Sequence, residues 1–304
     1  MKFAFSTVSC PTWDFETIAA RAREYGYHGV EIRGFLNETA PTKLAANLFS
    51  PDTDLPRLRD TFDAAGVRVA CLASSISMEQ AHAPWKVWRR SPNTRRGTDL
   101  HTFIDAAVKL NCHLVKVFDT QVRPGQTRLG AGVTLGDWLL PLADYAAERD
   151  VVIVIENALS FRNAKEMWTI LDRLQHPSVA CCWDVFNAAM VGESPYFSVP
   201  VLNTKIAYTQ VKDAKFGALG ATYCKLGEGD VPVEKFVTRL KGIGYTGYVT
   251  VEWEKAWLPG LAEPEEILPD AVTKLRKWAA ESADVPGVEG DSEPAAATSG
   301  AVVE

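Results

Sequence analysis

Short apolar runs alternate with longer stretches of helical periodicity from one end of the chain to the other. The runs predict strands at Lys2 to Thr7, Gly29 to Arg33, Arg68 to Ala73, His113 to Phe118, Val151 to Glu156, Val179 to Asp184, Ile206 to Lys212 and Tyr248 to Glu252. Between and after them the spacing predicts helices at Asp14 to Tyr25, Leu55 to Ala65, Arg95 to Leu110, Leu135 to Arg149, Ala164 to Leu174, Val233 to Ile243 and Glu265 to Ala280, with a weak one near Pro195 to Leu202. Strand and helix in strict alternation imply a parallel sheet covered by helices. Eight such units within residues 1–280 fit a single (β/α)8 TIM barrel, a fold of typically about 250 residues. An open doubly wound sheet would place a glycine-rich phosphate turn after its first strand; here that stretch is Ser6-Thr7-Val8-Ser9-Cys10-Pro11. The late cluster Gly227-Glu228-Gly229 reads as turn chemistry, with Asp230 as a candidate helix cap.

In such a barrel the chemistry sits where strands end, so the informative residues are polar side chains that terminate apolar strands. The fifth strand reads Val151-Val152-Ile153-Val154-Ile155-Glu156, the sixth ends Cys182-Trp183-Asp184, the seventh carries Thr209-Gln210-Val211-Lys212, and the eighth Val249-Thr250-Val251-Glu252. Side chains alternate along a strand, so an inward Glu252 sends Val249 and Val251 outward to the helices, the parity a barrel requires. Taken singly, each acid is as readily a salt bridge or a helix cap. Together, Glu156, Asp184 and Glu252 on one rim repel one another unless cations compensate. Arginines or a metal could do so, and a metal held by these three and Gln210 is the simpler account. All-oxygen ligation favours Mn2+ or Mg2+, with Co2+ also admitted, over Zn2+, which prefers histidine and cysteine.

These residues resemble the xylose isomerase-like barrels, the sugar phosphate isomerase/epimerase superfamily. The segments that carry the resemblance are VVIVIEN, CCWDVFNA, YTQVKDAK, LGEGDVPVEKF and GYTGYVTVEWE, and it spans the chain up to about Ala280. The resemblance implies that Glu156, Asp184, Gln210 and Glu252 are metal ligands and that the two glutamates, Glu156 and Glu252, also move protons. Two positions depart from the family pattern. Gln210 stands where histidine is usual, and its carbonyl oxygen is still a hard-ion ligand. Asn187 stands where a histidine often follows the sixth strand, and an amide cannot act as a base near neutral pH.

The expected activity is metal-dependent proton transfer next to a carbonyl on a small carbohydrate-like substrate, through an enediolate. Return of the proton makes an isomerase or epimerase; loss of a β-leaving group makes a lyase of the inosose or 3-dehydroshikimate dehydratase type, or a C-glycoside deglycosidase. A carbohydrate-binding barrel without turnover is a third reading. Endonuclease IV shares the fold but gathers zinc with many histidines, and the five here do not recur at strand ends. Lys212, on the parity of Gln210, is a candidate to polarise a carbonyl, or simply to pair with a carboxylate. Arg33, His82 and Trp85 join Asn187 as candidate substrate contacts; Trp85 and Trp88 flank cations in a segment suited to a lid or to an ordinary solvated loop.

No window approaches eighteen apolar residues, so a spanning helix is not expected. Six cysteines without a CxxC pair read as small core residues of a reducing compartment, and a cytoplasmic location is expected. The family often pairs, so a homo-oligomer is among the expectations. The formal charge of -6 would speak against a nucleic-acid partner, but Glu281, Asp284, Glu289, Asp291, Glu293 and Glu304 account for all of it. Residues 281–304, with no base and no aromatic residue, read as a disordered acidic tail on a formally neutral barrel of residues 1–280.

Overall fold

The computed structural model describes residues 1–36, 44–77, 95–218 and 220–281. Its elements run β1 (Lys2–Ser6), α1 (Phe15–Tyr25), β2 (Gly29–Arg33), α2 (Leu55–Ala64), β3 (Arg68–Ala73), α3 (Arg95–Lys109), β4 (Leu114–Phe118), α4 (Arg128–Ala147) and β5 (Val152–Glu156). They continue with α5 (Ala164–Leu174), β6 (Val179–Asp184), α6 (Val185–Ala189), α7 (Pro195–Leu202), β7 (Ile206–Val211), β8 (Asp213–Gly217), β9 (Gly220–Cys224), α8 (Val233–Gly242), β10 (Tyr248–Val251) and α9 (Pro264–Ala280). Eight strands close into a parallel barrel in the order β1-β10-β7-β6-β5-β4-β3-β2, and β8 with β9 forms a separate antiparallel hairpin. The expected (β/α)8 barrel is therefore present, with the hairpin and the short α6 added at its carboxyl-terminal end.

Local chemistry explains the boundaries. Asp14 starts α1 by accepting from the Thr17 N–H at 2.8 Å, and Gly26, at φ 82°, lets the chain turn out of the helix. Helix α4 begins at Arg128, where Leu135 was expected, because Thr127 caps it through the Gly130 N–H at 3.0 Å. Asp230 is not the cap expected of it: Pro232 occupies that position of α8, and Asp230 accepts from the Phe216 N–H at 2.7 Å.

Strand alternation produces two cores. Outward residues such as Ile153, Ile155, Trp183 and Val249 meet the helices, while a smaller cluster of Ala4, Cys71, Val154, Cys182 and Tyr208 fills the barrel interior. Each large apolar side chain buried there contributes roughly 1.5–3 kcal/mol. The small residues at Ala4, Cys71 and Cys182 leave the interior room for the long charged side chains of Glu31 and Lys116, both fully buried.

All six cysteines are free thiols. No helix among the described residues is long and apolar enough to cross a membrane. His82, Trp85 and all of the expected tail at 281–304 except Glu281 lie outside the described residues.

Candidate active site

Register places the polar strand ends side by side. Asp184 on β6 pairs with Gln210 on β7, Gln210 with Thr250 on β10, and Glu156 on β5 with Cys182, two residues before Asp184. Glu252 follows directly after β10. Glu156, Asp184, Gln210 and Glu252 thus meet at the carboxyl-terminal mouth, all of them buried. Asn157 fixes the β5 to β6 edge as a peptide would: its side-chain amide donates to the Asp184 carbonyl at 3.0 Å and its oxygen accepts the Asp184 N–H at 2.8 Å.

The compensating charge comes from lysine. Lys212 Nζ lies 2.5 Å from Glu252 Oε2, 2.8 Å from Glu254 Oε1 and 3.0 Å from Asp184 Oδ2. From the opposite side, Lys116 Nζ lies 2.5 Å from Glu156 Oε2 and 3.7 Å from Glu252 Oε1. The Lys116 to Glu156 contact falls outside hydrogen-bonding angles and is an ion pair. Lys116 is 0% exposed and Lys212 5%, so neither head group reaches bulk water, and the pairing resists salt far more than a surface pair does.

Burial and these cations divide the acids. For Glu252, burial works to raise the pKa, but Lys212 and Lys116 outweigh it and bring the group down to about 2. Burial pushes Asp184 up to about 6, with Lys212 opposing and the charges of Glu156 and Glu252 adding to the rise. Glu31 and Glu254 are also raised, chiefly by burial. Both lysines are held above their ordinary range, since the facing carboxylates overcome burial. At neutral pH the centre is an ionised Glu252 between two ammonium groups, ringed by acids that hold protons more tightly.

Every carboxylate oxygen of the three acids expected to ligate a metal already faces a donor of the chain. Glu156 Oε1 accepts from Asn187 at 3.3 Å while Oε2 meets Lys116. Asp184 Oδ1 accepts from the Phe186 N–H at 2.8 Å, capping α6, while Oδ2 meets Lys212 and Asn187. Glu252 is bracketed by Lys116 and Lys212. The Gln210 amide nitrogen donates to Glu31 at 3.1 Å through both contacts and to Glu252 at 3.0 Å, the orientation an ionised Glu252 favours. Its carbonyl oxygen turns to the Cys182 thiol at 3.6 Å. Among the described residues no three of His, Cys, Asp and Glu converge as a metal shell does. The expected four residues are assembled, but this donor set does not fit a divalent cation: the lone pairs a metal needs are engaged by ammonium and amide groups, and Gln210 presents a donor.

The remaining expectations resolve in part. Asn187 spends its amide nitrogen on Glu156 and Asp184, leaving only its oxygen for a substrate. Arg33 is buried beside the mouth, donates to Ser75 Oγ at 3.0 Å and lies 5.2 to 6.0 Å from the rings of Phe118, Phe35 and Trp257, with its Nε unpartnered. A second aromatic wall comes from Phe186, Tyr223 of the hairpin and Trp253, with Lys212 5.4 Å from the Phe186 ring. Lys116 was missed from sequence; the signal was a lysine inside the apolar run Leu114-Val115-Lys116-Val117-Phe118.

The sequence profile described as xylose isomerase-like TIM barrel matches residues 19–278. Among solved structures, the IOLI protein with a bound zinc atom superposes at a TM-score of 0.74, with 17% identity over 92% of this chain and 98% of that one. The probable 3-DHS dehydratase AsbF of Bacillus anthracis gives 0.72, with 14% identity over 91% and 99%. A D-psicose 3-epimerase studied in the presence of D-fructose gives 0.70, with 15% identity over 92% and 100%. At such identities the likeness is one of fold. No curated protein matches the chain.

Proposed function

The chain belongs to the xylose isomerase-like TIM barrel family, and on that premise we propose that it is an isomerase or epimerase of a small polyhydroxy carbonyl compound, acting by proton transfer at the carbon beside the carbonyl. The observation that carries this reading is Glu156 and Glu252 flanking one buried ammonium, Lys116, with a second ammonium, Lys212 just past the end of β7, on the other oxygen of Glu252.

Deprotonation beside a carbonyl develops negative charge on the carbonyl oxygen, and a preorganised cation in a dry site is the effective way to hold it. Lys212 Nζ is placed to donate to that oxygen. Glu252, ionised at neutral pH, is placed to take the proton. Pairing with Lys212 makes it a weak base at rest; a substrate oxyanion that draws the ammonium toward itself returns basicity to Glu252 as the proton moves. Glu156, on the other side of Lys116, is the second carboxylate, able to deliver or receive a proton at the neighbouring carbon or the opposite face. Arg33 with Phe35, Phe118 and Trp257 on one side, and Phe186, Tyr223 and Trp253 on the other, offers walls for the C–H faces and hydroxyls of a carbohydrate. His82 and Trp85, outside the described residues, keep their place as candidate substrate contacts from the sequence.

Loss of a β-leaving group after the same deprotonation would make the chain a lyase. Asn187, which cannot act as a second base, and the shared fold with a probable dehydratase favour keeping that outcome in view. Incubation with candidate ketoses and oxidised polyols in deuterated water separates the two. Solvent deuterium in a recovered isomer is the expected result. An unsaturated product alone would establish the lyase, and no turnover of any polyhydroxy carbonyl would leave a binding barrel.

A further inference from the structure

We propose that this barrel carries the positive charge of its mouth permanently, as the ammonium groups of Lys212 and Lys116, in place of a divalent cation. The role of Lys212 toward an oxyanion rests on the function proposed above; the occupancy of the centre is argued from distances alone.

A divalent ion joining Asp184 and Glu252 has to lie roughly 2.0–2.2 Å from an oxygen of each. Lys212 Nζ is already between those two oxygens, 3.0 Å from Asp184 Oδ2 and 2.5 Å from Glu252 Oε2. Lys116 fills the corresponding position between Glu156 and Glu252. Admitting a metal would require three changes: Lys212 withdrawn from three carboxylates, the Gln210 amide reversed so that its oxygen faced Glu31 and Glu252, and two further positive charges accepted beside a fully buried lysine. Each opposes binding. The first costs charge-assisted hydrogen bonds, the second sets oxygen against carboxylate, and the third is repulsion in a region of low dielectric. The same geometry divides the labour of the lysines. Lys212, just past the end of β7 at the mouth, is the one assigned to the substrate. Lys116, sealed beneath, is a positioning residue that draws Glu156 and Glu252 to one point.

Metal analysis of the purified full chain, followed by Mn2+ titration read by electron paramagnetic resonance, tests the inference without any substrate. The expected result is metal far below one ion per chain and no loss of the free Mn2+ signal on adding protein. Stoichiometric Mn2+, Mg2+, Co2+ or Zn2+ that is lost in Glu252→Gln would overturn it. Lys212→Ala removes the occupant and should tighten Mn2+ binding about tenfold or more, which corresponds to about 1.4 kcal/mol of relieved repulsion. Unchanged affinity in a folded Lys212→Ala, or in Lys212→Gln should the first not fold, would count against occupancy by the lysine. Turnover that survives chelation agrees with the inference, and turnover abolished by chelation and restored by metal sinks it while leaving the isomerase reading intact. Absence of metal together with absence of any turnover sinks the isomerase reading and leaves the charge assignment standing.

Discussion

Asp213 and Glu252 are both buried carboxylates just beyond the ends of adjacent barrel strands, yet they are neutralised in different ways. Asp213 accepts four backbone N–H bonds, from Ala214 at 2.8 Å, Gly227 at 2.7 Å, Gly229 at 3.1 Å and Val231 at 3.1 Å. Gly229 lies so close that a Cβ there would collide with the Asp213 carboxylate and the Ala214 carbonyl. Glu252 is met instead by Lys212, Lys116 and the Gln210 amide. Backbone amides cannot move without unfolding the loop they belong to, so Asp213 is committed to holding the Gly227-to-Val231 turn. Lysine and glutamine side chains can shift by an ångström and pass their bonds to another oxygen, so Glu252 can exchange partners with a substrate. The partner type, more than burial, separates the acid that builds the mouth from the acid proposed to work in it.

The largest expected effect tests the working side. Glu252→Gln keeps shape and removes the proposed base, leaving Lys212 with Asp184 and Glu254. Turnover should fall by roughly 10²–10⁴, the usual weight of a positioned acid or base, with the fold retained. Near-normal steady-state rates in that variant would mean that partner type does not mark the chemistry. Lys116→Met comes next. It strands Glu156 and Glu31 without their buried cation, and breaking a buried pair from one side costs about 3–5 kcal/mol. The double change Lys116→Met with Glu156→Gln should recover part of that loss in a urea titration, because two neutral groups impose no charge on the interior. A double variant no more stable than the single one would place the weight of Lys116 in packing.

The building side is tested by Asp213→Ala, which leaves four N–H groups of one turn without their acceptor. Unfolding should become easier by on the order of 3 kcal/mol, with Asp213→Asn between it and wild type. A variant as stable as wild type would show that the turn holds without its carboxylate.

The same contrast explains what the sequence could reveal. Glu156, Asp184, Gln210 and Glu252 were legible because strand alternation assigns every side chain a face, and an acid ending five apolar residues has few places to go. Lys116 was not legible: its partners arrive from strands 40 and more residues away, and a lysine within an apolar strand looks the same whether it snorkels outward or points into the barrel. The expectation of a metal weighed the acids with Lys212 alone in view; Lys116 adds the second ammonium on which the charge assignment proposed above rests. The β8–β9 hairpin escaped because its short arms, Asp213–Gly217 and Gly220–Cys224, carry as many polar and glycine positions as apolar ones and form no apolar run. The first turns of α4 escaped because Gly130 and Gly132 depress helix propensity where a cap and tertiary packing supply the difference.

Asp119 sharpens the comparison from within the backbone-held group. It accepts two N–H bonds at 2.6 Å, from Leu159 and Phe161, half the number Asp213 receives. Burial outweighs those bonds and raises it to about 7, with the charge of Glu156 adding to the rise. Its folded pKa therefore lies above the value of about 3.9 expected in the unfolded chain. Between the two, the folded protein holds a proton that the unfolded chain releases, so this group's contribution to stability falls as pH rises from about 4 to about 7. Urea midpoints across that range should decline less steeply in Asp119→Asn than in wild type, whatever constant offset the lost acceptor adds. Parallel slopes would mean that two amides suffice to keep a buried carboxylate ionised, and the division between Asp213 and the acids of the mouth would then rest on partner type with no regard to partner number.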